Sequence, residues 1–231
     1  MRKHVIIVAG GSGSRLGGDL PKQFRMLSGR PLLWWALKAF RDEDAACAIH
    51  LVLPEKYFTL WESLVASMPE QERIDHTVHP GGTTRTESVV SALSSIERGE
   101  DVLIAVHDAA RPLVSEEIIS AGWEEARLHL AAIPVVPVTD SMRVLDSDAS
   151  HAVDRSRFVA VQTPQVFRGD ILHNAYAEMG EGSFTDDASV VEASGVCPVL
   201  FPGSPANIKV TNPGDIEIAE LLLARKLKGD G

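Results

Sequence analysis

The sequence has few cysteines, with Cys47 and Cys197 the only two in 231 residues. Two thiols cannot build a disulfide framework, and these two do not form the CxxC pattern of a metal site. Both stand beside apolar residues, so we interpret them as small buried side chains in a reducing compartment. The sequence also lacks an apolar run approaching the roughly 20 residues needed to span a bilayer. We therefore expect a cytoplasmic protein that does not enter a membrane.

Positive charge is also scarce, with 22 Lys and Arg against 32 Asp and Glu and a formal net charge of -10. A chain of this sign is a poor candidate for binding nucleic acid or an anionic membrane by bulk electrostatics. A local cluster of cations can still bind a small anionic substrate. The basic N-terminus leads through a short apolar run directly into glycines, so it predicts a first strand rather than a secretion signal.

Apolar residues alternate between strand-like and helix-like spacing along the first 138 residues. Buried strands are predicted at 5–8, 48–53, 102–106 and 132–138, with a weaker one at 76–79. Helices are predicted between them at 31–40, 56–67, 83–96 and 116–130. This alternation is typical of an α/β fold, a Rossmann-like and mostly parallel sheet flanked by helices. The length and the lack of a linker predict a single domain over 1–231.

The pattern changes after residue 138. Segments 141–145 and 158–161 alternate around a polar stretch at 146–148, which predicts a β-hairpin or protruding β-arm within about 139–162. Short helices follow at 170–178 and 186–194, then a late strand at 198–201 that leads into 207–211 and carries Lys209. A final amphipathic helix is predicted at 213–226.

The first strand runs into a glycine-rich segment, Ala9-Gly10-Gly11-Ser12-Gly13-Ser14-Arg15. Glycines let a backbone approach a ligand closely and expose N–H groups that can bind phosphates. The P-loop pattern is absent, and the dinucleotide pattern GxGxxG fails at Leu16, which makes a dehydrogenase a poor alternative. Taken alone, the glycines fit a surface turn equally well. Arg15 and Lys22 add two cations, and ligands bind α/β sheets at such strand ends, so we favour a phosphate site.

Seven segments in this order resemble the sugar-phosphate cytidylyltransferase family over nearly the whole chain. The first segment alone indicates only a nucleotidyltransferase, whereas the later ones together are specific. They are Ala-Gly-Gly-x-Gly-x-Arg with Pro21-Lys22-Gln23, Gly81-Gly82 with Arg85 and Ser88, His107-Asp108-Ala109-Ala110-Arg111-Pro112, Asp154-Arg155, Gln162-Thr163-Pro164-Gln165, Thr185-Asp186-Asp187-Ala188-Ser189, and Asn207-Ile208-Lys209-Val210-Thr211.

The resemblance implies a fold of the nucleotide-diphospho-sugar transferase type and transfer of CMP from CTP to a polyol phosphate, with Mg²⁺ as the divalent cation. It also implies a homodimer formed through the β-arm. The expected acceptor is 2-C-methyl-D-erythritol 4-phosphate, and D-ribitol 5-phosphate remains an alternative that residue types do not exclude. A nucleotide-binding homologue without turnover is a third possibility. The joint presence of the cations Arg15, Lys22, Arg155 and Lys209 disfavours it.

The resemblance also implies a role for each matching residue. Nucleotidyl transfer to a phosphate needs charge neutralisation rather than a general base, because the acceptor oxygen is already a nucleophile. The implied catalytic residues are the cations Arg15, Lys22, Arg155 and Lys209. The implied CTP-binding residues are Ala9, Gly10, Gly11, Gly13, Gly82, Arg85, Ser88, Asp108 and Ala109. The implied acceptor-binding residues are Ser141, Arg155 and Thr163.

Structural roles are also expected at three places in these segments. Asp108 is expected to reach the ribose or to act as a Mg²⁺ ligand, and its alternative role is a helix N-cap. His107 is expected to be a partly buried histidine bonded to backbone. In the segment 185–189, Thr185 or Asp186 is expected to cap a helix.

Overall fold

A computed structural model describes residues 1–10, 21–180 and 184–228. Its strands are β1 (Arg2–Val8), β2 (Met26–Leu27), β3 (Arg30–Pro31), β4 (Ala48–Leu53), β5 (Thr77–Pro80), β6 (Val102–Asp108), β7 (Ala131–Pro137), β8 (Met142–Leu145), β9 (Ser150–Val153), β10 (Val159–Val161), β11 (Gln165–Arg168) and β12 (Val199–Pro202). Its α-helices are α1 (Leu32–Glu43), α2 (Phe58–Ser67), α3 (Arg85–Leu93), α4 (Glu116–His129), α5 (Gly169–Glu178), α6 (Asp187–Ala193) and α7 (Pro213–Lys228).

Eight strands of the described part of the chain form one mixed sheet in the order β10-β7-β11-β6-β1-β4-β5, with β12 paired to β7. The pairs of β1 with β4 and β6, of β4 with β5, and of β12 with β7 are parallel. β11 lies antiparallel between β6 and β7, and β10 is antiparallel to β7. The predicted mostly parallel α/β sheet is therefore confirmed. The sequence interpretation missed β11, because four residues are too few for a clear periodicity.

Both faces of the sheet are covered by helices, which explains the uninterrupted apolar runs of its central strands. Val5 and Ile7 face a core formed with α1, α2 and α4. Ile6 points to the opposite face and packs with residues of α3, α5 and α6. Side chains alternate along a strand, so one apolar run serves two cores. Trp34, Trp61 and Trp123 are buried in the first core, as expected of ordinary packing residues.

The region 139–162 differs from its prediction. β8 pairs with β9 in a separate two-stranded sheet, whereas the 158–161 segment contributes β10 to the main sheet. The prediction that 158–161 is the second strand around the polar stretch was therefore wrong. Both segments alternate in the same way, and alternation shows a strand without identifying its partner. All four residues of β8 are exposed.

Two smaller expectations have clear outcomes. Cys47 is buried, and burial raises the pKa of its thiol to about 12. Cys197 is exposed, so the interpretation of both cysteines as buried was wrong for Cys197. Asp186 caps α6 by accepting a hydrogen bond from the Ser189 N–H, as predicted for this segment. In the described ranges, no helix has the length and apolar character required to cross a bilayer.

Candidate active site

A cavity of about 420 Å³ opens at the carboxyl ends of β1 and β6. In α/β sheets this edge is the usual place for a ligand. The described residues that line it are Val8, Ala9, Gly10, Lys22, Gln23, Gly82, Thr83, Thr84, Arg85, Ser88, Asp108, Ala109, Ala110 and Lys209.

The cavity gathers nine of the residues that the sequence singled out, namely Ala9, Gly10, Lys22, Gly82, Arg85, Ser88, Asp108, Ala109 and Lys209. Gly11, Gly13 and Arg15 lie outside the described residues. Ser141, Arg155 and Thr163 do not line the cavity. The described candidate CTP and phosphate residues thus converge, whereas Ser141 and Arg155 lie outside the cavity and Thr163 lies beneath Asp108.

One wall of the cavity is a tight corner at the start of α3. The Gly82 N–H donates to Ser88 Oγ at 3.1 Å, and that hydroxyl donates to the Thr84 carbonyl at 2.9 Å. Thr84 and Glu87 form a reciprocal capping box that fixes the first turn of the helix. A Cβ added at Gly82 would overlap the side chain of Glu87 and lie 3.0 Å from its backbone carbon. Only glycine fits this position without a shift of the corner.

A second wall is formed by residues 22 and 23. The buried Gln23 side chain donates to the Ala9 carbonyl at 2.7 Å, which ties this segment to the end of β1. Lys22 Nζ lies 3.4 Å from the carbonyl oxygen of Val210, the residue that follows Lys209 in the chain. Sequence reasoning placed Lys22 at the site but missed Gln23. Its position beside Lys22 in the same motif was the available signal.

Asp108 lies at the centre of the charged groups. Its carboxylate is 2.7 Å from Lys209 Nζ and 3.8 Å from Arg85 Nη2. Burial alone would raise the pKa of this carboxyl, but Lys209 and Arg85 outweigh burial and hold the pKa at about 2. Asp108 is therefore ionised at neutral pH. Its alternative role as a helix N-cap is wrong, because Ser115 caps α4.

Thr163 supports Asp108 from below the cavity floor. Its hydroxyl accepts the Asp108 backbone N–H at 3.0 Å and lies 3.1 Å from His107 Nδ1. His107 Nε2 faces the Arg111 carbonyl at 3.1 Å, so Nε2 carries the proton and Nδ1 accepts from Thr163. Burial lowers the pKa of His107 to about 4, which keeps the ring neutral. His107 is fully buried and bonded to backbone, rather than partly buried as expected.

Lys209 lies on an irregular segment, not on a strand as predicted. The segment is fixed by the Val210 N–H, which donates to the Ala110 carbonyl at 2.8 Å, and by the buried Asn207 amide, which donates to the Thr163 carbonyl at 3.0 Å. Arg111 donates to the Asn207 carbonyl at 2.7 Å. Two of these three bonds involve side chains, so the segment is not held by a strand ladder. Sequence reasoning gave Asn207 and Arg111 no role in holding Lys209.

Ser141 and Arg155 flank the β8–β9 hairpin and are exposed. Arg155 donates to the Thr139 carbonyl, and Asp154 accepts from the Ser156 N–H to cap the short turn that carries Arg155. Both residues are therefore held at the base of the hairpin, away from the cavity of their own chain.

The described residues of the cavity offer few protein ligands for a metal, which suits a Mg²⁺ ion whose other ligands are phosphate oxygens and water. Within the described ranges there is no cluster of three or more His, Cys, Asp or Glu side chains able to hold a metal. Among the described residues that line the cavity, Asp108 offers the one carboxylate, which is ionised. Mg²⁺ is commonly bound through one or two carboxylates together with substrate phosphates and water, and the cavity fits that mode.

Charge and shape together define the class of protein. Lys22, Arg85 and Lys209 line a cavity that also contains the ionised carboxylate of Asp108 and several glycine, alanine and serine residues. Small residues admit a flat base, and converging cations bind phosphates. The arrangement is that of an α/β protein that binds a nucleotide at the carboxyl edge of its sheet.

Comparison with known proteins gives the family. The family model for 2-C-methyl-D-erythritol 4-phosphate cytidylyltransferase matches residues 3–225. The enzyme of that name from Azobacteroides pseudotrichonymphae is 45% identical over 96% of this chain and 99% of its own length. The one from Bacteroides thetaiotaomicron is 44% identical over 96% of this chain and 100% of its own. The crystal structure of the Thermus thermophilus enzyme is 34% identical, with a TM-score of 0.77 over 96% of this chain and 98% of that one. The chain belongs to the 2-C-methyl-D-erythritol 4-phosphate cytidylyltransferase family.

Proposed function

We propose that this protein transfers CMP from CTP to 2-C-methyl-D-erythritol 4-phosphate, giving 4-diphosphocytidyl-2-C-methyl-D-erythritol and pyrophosphate in the non-mevalonate route to isoprenoids. Membership of the family carries the choice of substrates. The cation-lined cavity beside small residues supports the chemistry. CTP is a cytoplasmic metabolite, so the proposal also places the enzyme in that compartment.

In the proposed reaction a phosphate oxygen of the acceptor attacks the α-phosphorus of CTP. The bond from the α-phosphorus to the bridging oxygen breaks, and pyrophosphate leaves with the electron pair. Negative charge builds on the oxygens around the α-phosphorus, and fixed cations are the effective way to stabilise it. Lys22 and Lys209 both line this space, and Arg15 is proposed to join them.

The base and the ribose are assigned to the uncharged part of the cavity. Ala9, Gly10, Gly82, Ser88 and Ala109 leave a narrow space that suits a pyrimidine better than a larger purine. Gly11 and Gly13 are proposed to contribute backbone N–H groups. Asp108 is proposed to accept from the ribose or to ligate Mg²⁺. When bound, the ion would neutralise charge on the nucleotide phosphates.

The acceptor is proposed to be held partly by a second subunit. Ser141 and Arg155 lie outside the cavity of their own chain, at the base of a hairpin whose Val144 and Leu145 are exposed. A homodimer that buries this hairpin would bring Arg155 to the partner's cavity. An arginine fork suits the acceptor's phosphate because it binds two oxygens at once. Thr163, which lies beneath Asp108, is also proposed to contact the acceptor.

Turnover of purified protein with CTP and each of the two acceptors tests the reaction. We expect product and pyrophosphate with methylerythritol phosphate, and a much lower kcat/KM with ribitol phosphate. The reverse preference would replace the proposed acceptor by the alternative. Lys22→Ala and Lys209→Ala should lower kcat by a factor of about 100 or more, by analogy with the loss of one transition-state donor. Near-normal turnover would remove the substituted lysine from the mechanism.

Subunit mixing tests the placement of Arg155. Arg155→Ala should raise the KM for the acceptor and leave CTP affinity unchanged. Two differently tagged chains, one with Lys209→Ala and one with Arg155→Ala, are co-expressed. If Arg155 acts in the partner's cavity, mixed dimers regain one intact site, and the mixture recovers about one quarter of the wild-type activity. No recovery means that both residues serve the same chain. Arg143→Ala is the matched control, because Arg143 bonds only within the hairpin, to Ser150.

A further inference from the structure

A buried carboxylate, Asp187, lies directly behind the cavity. It is the one acidic residue among the fully buried side chains of the described ranges. Its Oδ1 accepts from the Tyr176 hydroxyl at 2.6 Å, and its Oδ2 accepts from Arg85 Nη2 at 2.6 Å. A buried charge is costly unless it is paired and hydrogen-bonded, so Asp187 depends on both partners.

Asp187 is held rigidly. It is the first residue of α6, and that turn is fastened to β11 by the buried Gln165. The Gln165 amide donates to Asp186 at 2.7 Å and accepts the Ala188 N–H at 2.9 Å. These bonds tie the Asp186 side chain and the Ala188 backbone, on either side of Asp187, to β11. The carboxylate therefore has a fixed position relative to the sheet.

Arg85 is the residue that this fixed carboxylate orients. It begins α3, where a cation is disfavoured by the helix dipole. The ion pair with Asp187 offsets that cost and directs the guanidinium along the cavity wall. The same Nη2 lies 3.8 Å from Asp108, which is close enough for charge attraction but too long for a hydrogen bond. Asp187 thus holds Arg85 near Asp108, but too far away to replace Lys209 as the hydrogen-bonded partner of Asp108.

We propose that Asp187, with Tyr176, is a positioning residue for the transfer: it anchors Arg85 so that Asp108 stays paired with Lys209 and aligned for the nucleotide. This inference rests on the proposed function. Without the anchor, Arg85 is free to close on Asp108 and to draw its carboxylate away from Lys209. The loss then falls on the nucleotide side of the reaction, because the acceptor residues of the hairpin, Ser141 and Arg155, lie outside the cavity.

The test compares Asp187→Asn with wild type in steady-state turnover and in CTP binding by calorimetry. We expect kcat/KM for CTP to fall by about 10-fold to 100-fold, the equivalent of one charged hydrogen bond, with weaker CTP binding. The KM for the acceptor should stay within about twofold. Asp170→Asn is the matched control, because it breaks a similar pair, with Arg168, away from the cavity, and should leave all three values unchanged.

A double-mutant cycle separates positioning from simple stability. If Asp187 acts through Arg85, then Asp187→Asn should cause no further loss of kcat/KM in an Arg85→Ala background. Losses that multiply independently overturn the proposal. If Asp187→Asn does not fold, Tyr176→Phe removes a single bond to the same carboxylate and should shift kcat/KM for CTP in the same direction. A Tyr176→Phe variant with wild-type kinetics also overturns it. A wild-type protein without cytidylyltransferase activity would instead refute the proposed function.

Discussion

Three histidines on adjacent strands form a hydrogen-bonded row on one face of the sheet. His4 Nδ1 lies 3.1 Å from His50 Nε2, and His50 Nδ1 lies 3.0 Å from His79 Nε2. His50 and His79 are buried, and the outer nitrogen of His4 faces Glu97 at 3.8 Å. Each contact in the neutral row needs one protonated and one bare nitrogen. Stability should therefore depend on keeping His50 neutral.

The size of the effect follows from the pKa of His50. Burial, and then the neighbouring His4 and His79, lower this pKa from 6.5 to about 4. Below pH 6.5 the unfolded chain binds a proton at this position that the folded chain does not bind. The free energy of unfolding therefore falls as the pH drops from 6.5 towards 4. Between pH 7.5 and pH 5 the loss from His50 alone is about 2 kcal/mol.

The measurement is urea unfolding at pH 7.5 and pH 5.0, followed by circular dichroism. His50→Gln keeps an amide donor and acceptor but cannot titrate. The variant should have a lower free energy of unfolding than wild type at both pH values. The difference in this free energy between pH 7.5 and pH 5.0 should be about 2 kcal/mol smaller than in wild type. His151→Gln is the control, because His151 is an exposed histidine on the hairpin. A pH dependence in His50→Gln equal to that of wild type would refute the reasoning.

Three further substitutions test other parts of the structure. Gly82→Ala should raise the KM for CTP by about 10-fold or more through the clash with Glu87, and unchanged steady-state kinetics would contradict that corner's role. Asn207→Ala should lower kcat and reduce the free energy of unfolding by about 2 kcal/mol, because the segment that carries Lys209 loses its buried amide bonds; thermal and kinetic assays would show both. Leu145→Glu on the exposed hairpin should shift sedimentation towards monomer if the hairpin forms the dimer, and an unchanged profile would argue against it.

The dense β-branched run at 5–8 correctly predicted a buried strand, although β1 begins earlier, at Arg2. β4 at Ala48–Leu53 has the same bounds in the prediction and in the structure. β11 was missed because its four residues carry no periodicity and follow a Thr-Pro turn. The predicted pairing partner of the 158–161 segment was wrong for a different reason. Pairing depends on which edge of the sheet is free, and that is a property of the whole fold.

The candidate site shows the same division between local and long-range information. Motifs identified Lys22, Asp108 and Lys209, because each belongs to a recognisable segment. No local pattern could reveal that Arg85 pairs with Asp187, since 102 positions separate them in the chain. The segment 185–189 was interpreted as a helix cap, which is correct for Asp186 and incomplete for Asp187. A residue that acts through a tertiary contact leaves no signal in its own neighbourhood.

Asp108 explains how an acidic chain can keep cations ready for two anionic reactants. Asp187 already holds Arg85 in place, whereas Lys209, which is about half exposed, would turn towards solvent without a negative charge beside it. The ionised Asp108 pairs with Lys209 and lies 3.8 Å from Arg85 before any nucleotide arrives. A site whose charges are already in place reorganises little during the reaction, which is the main source of electrostatic catalysis. We therefore expect the carboxylate of Asp108 to aid phosphate chemistry, although its own charge opposes the phosphate.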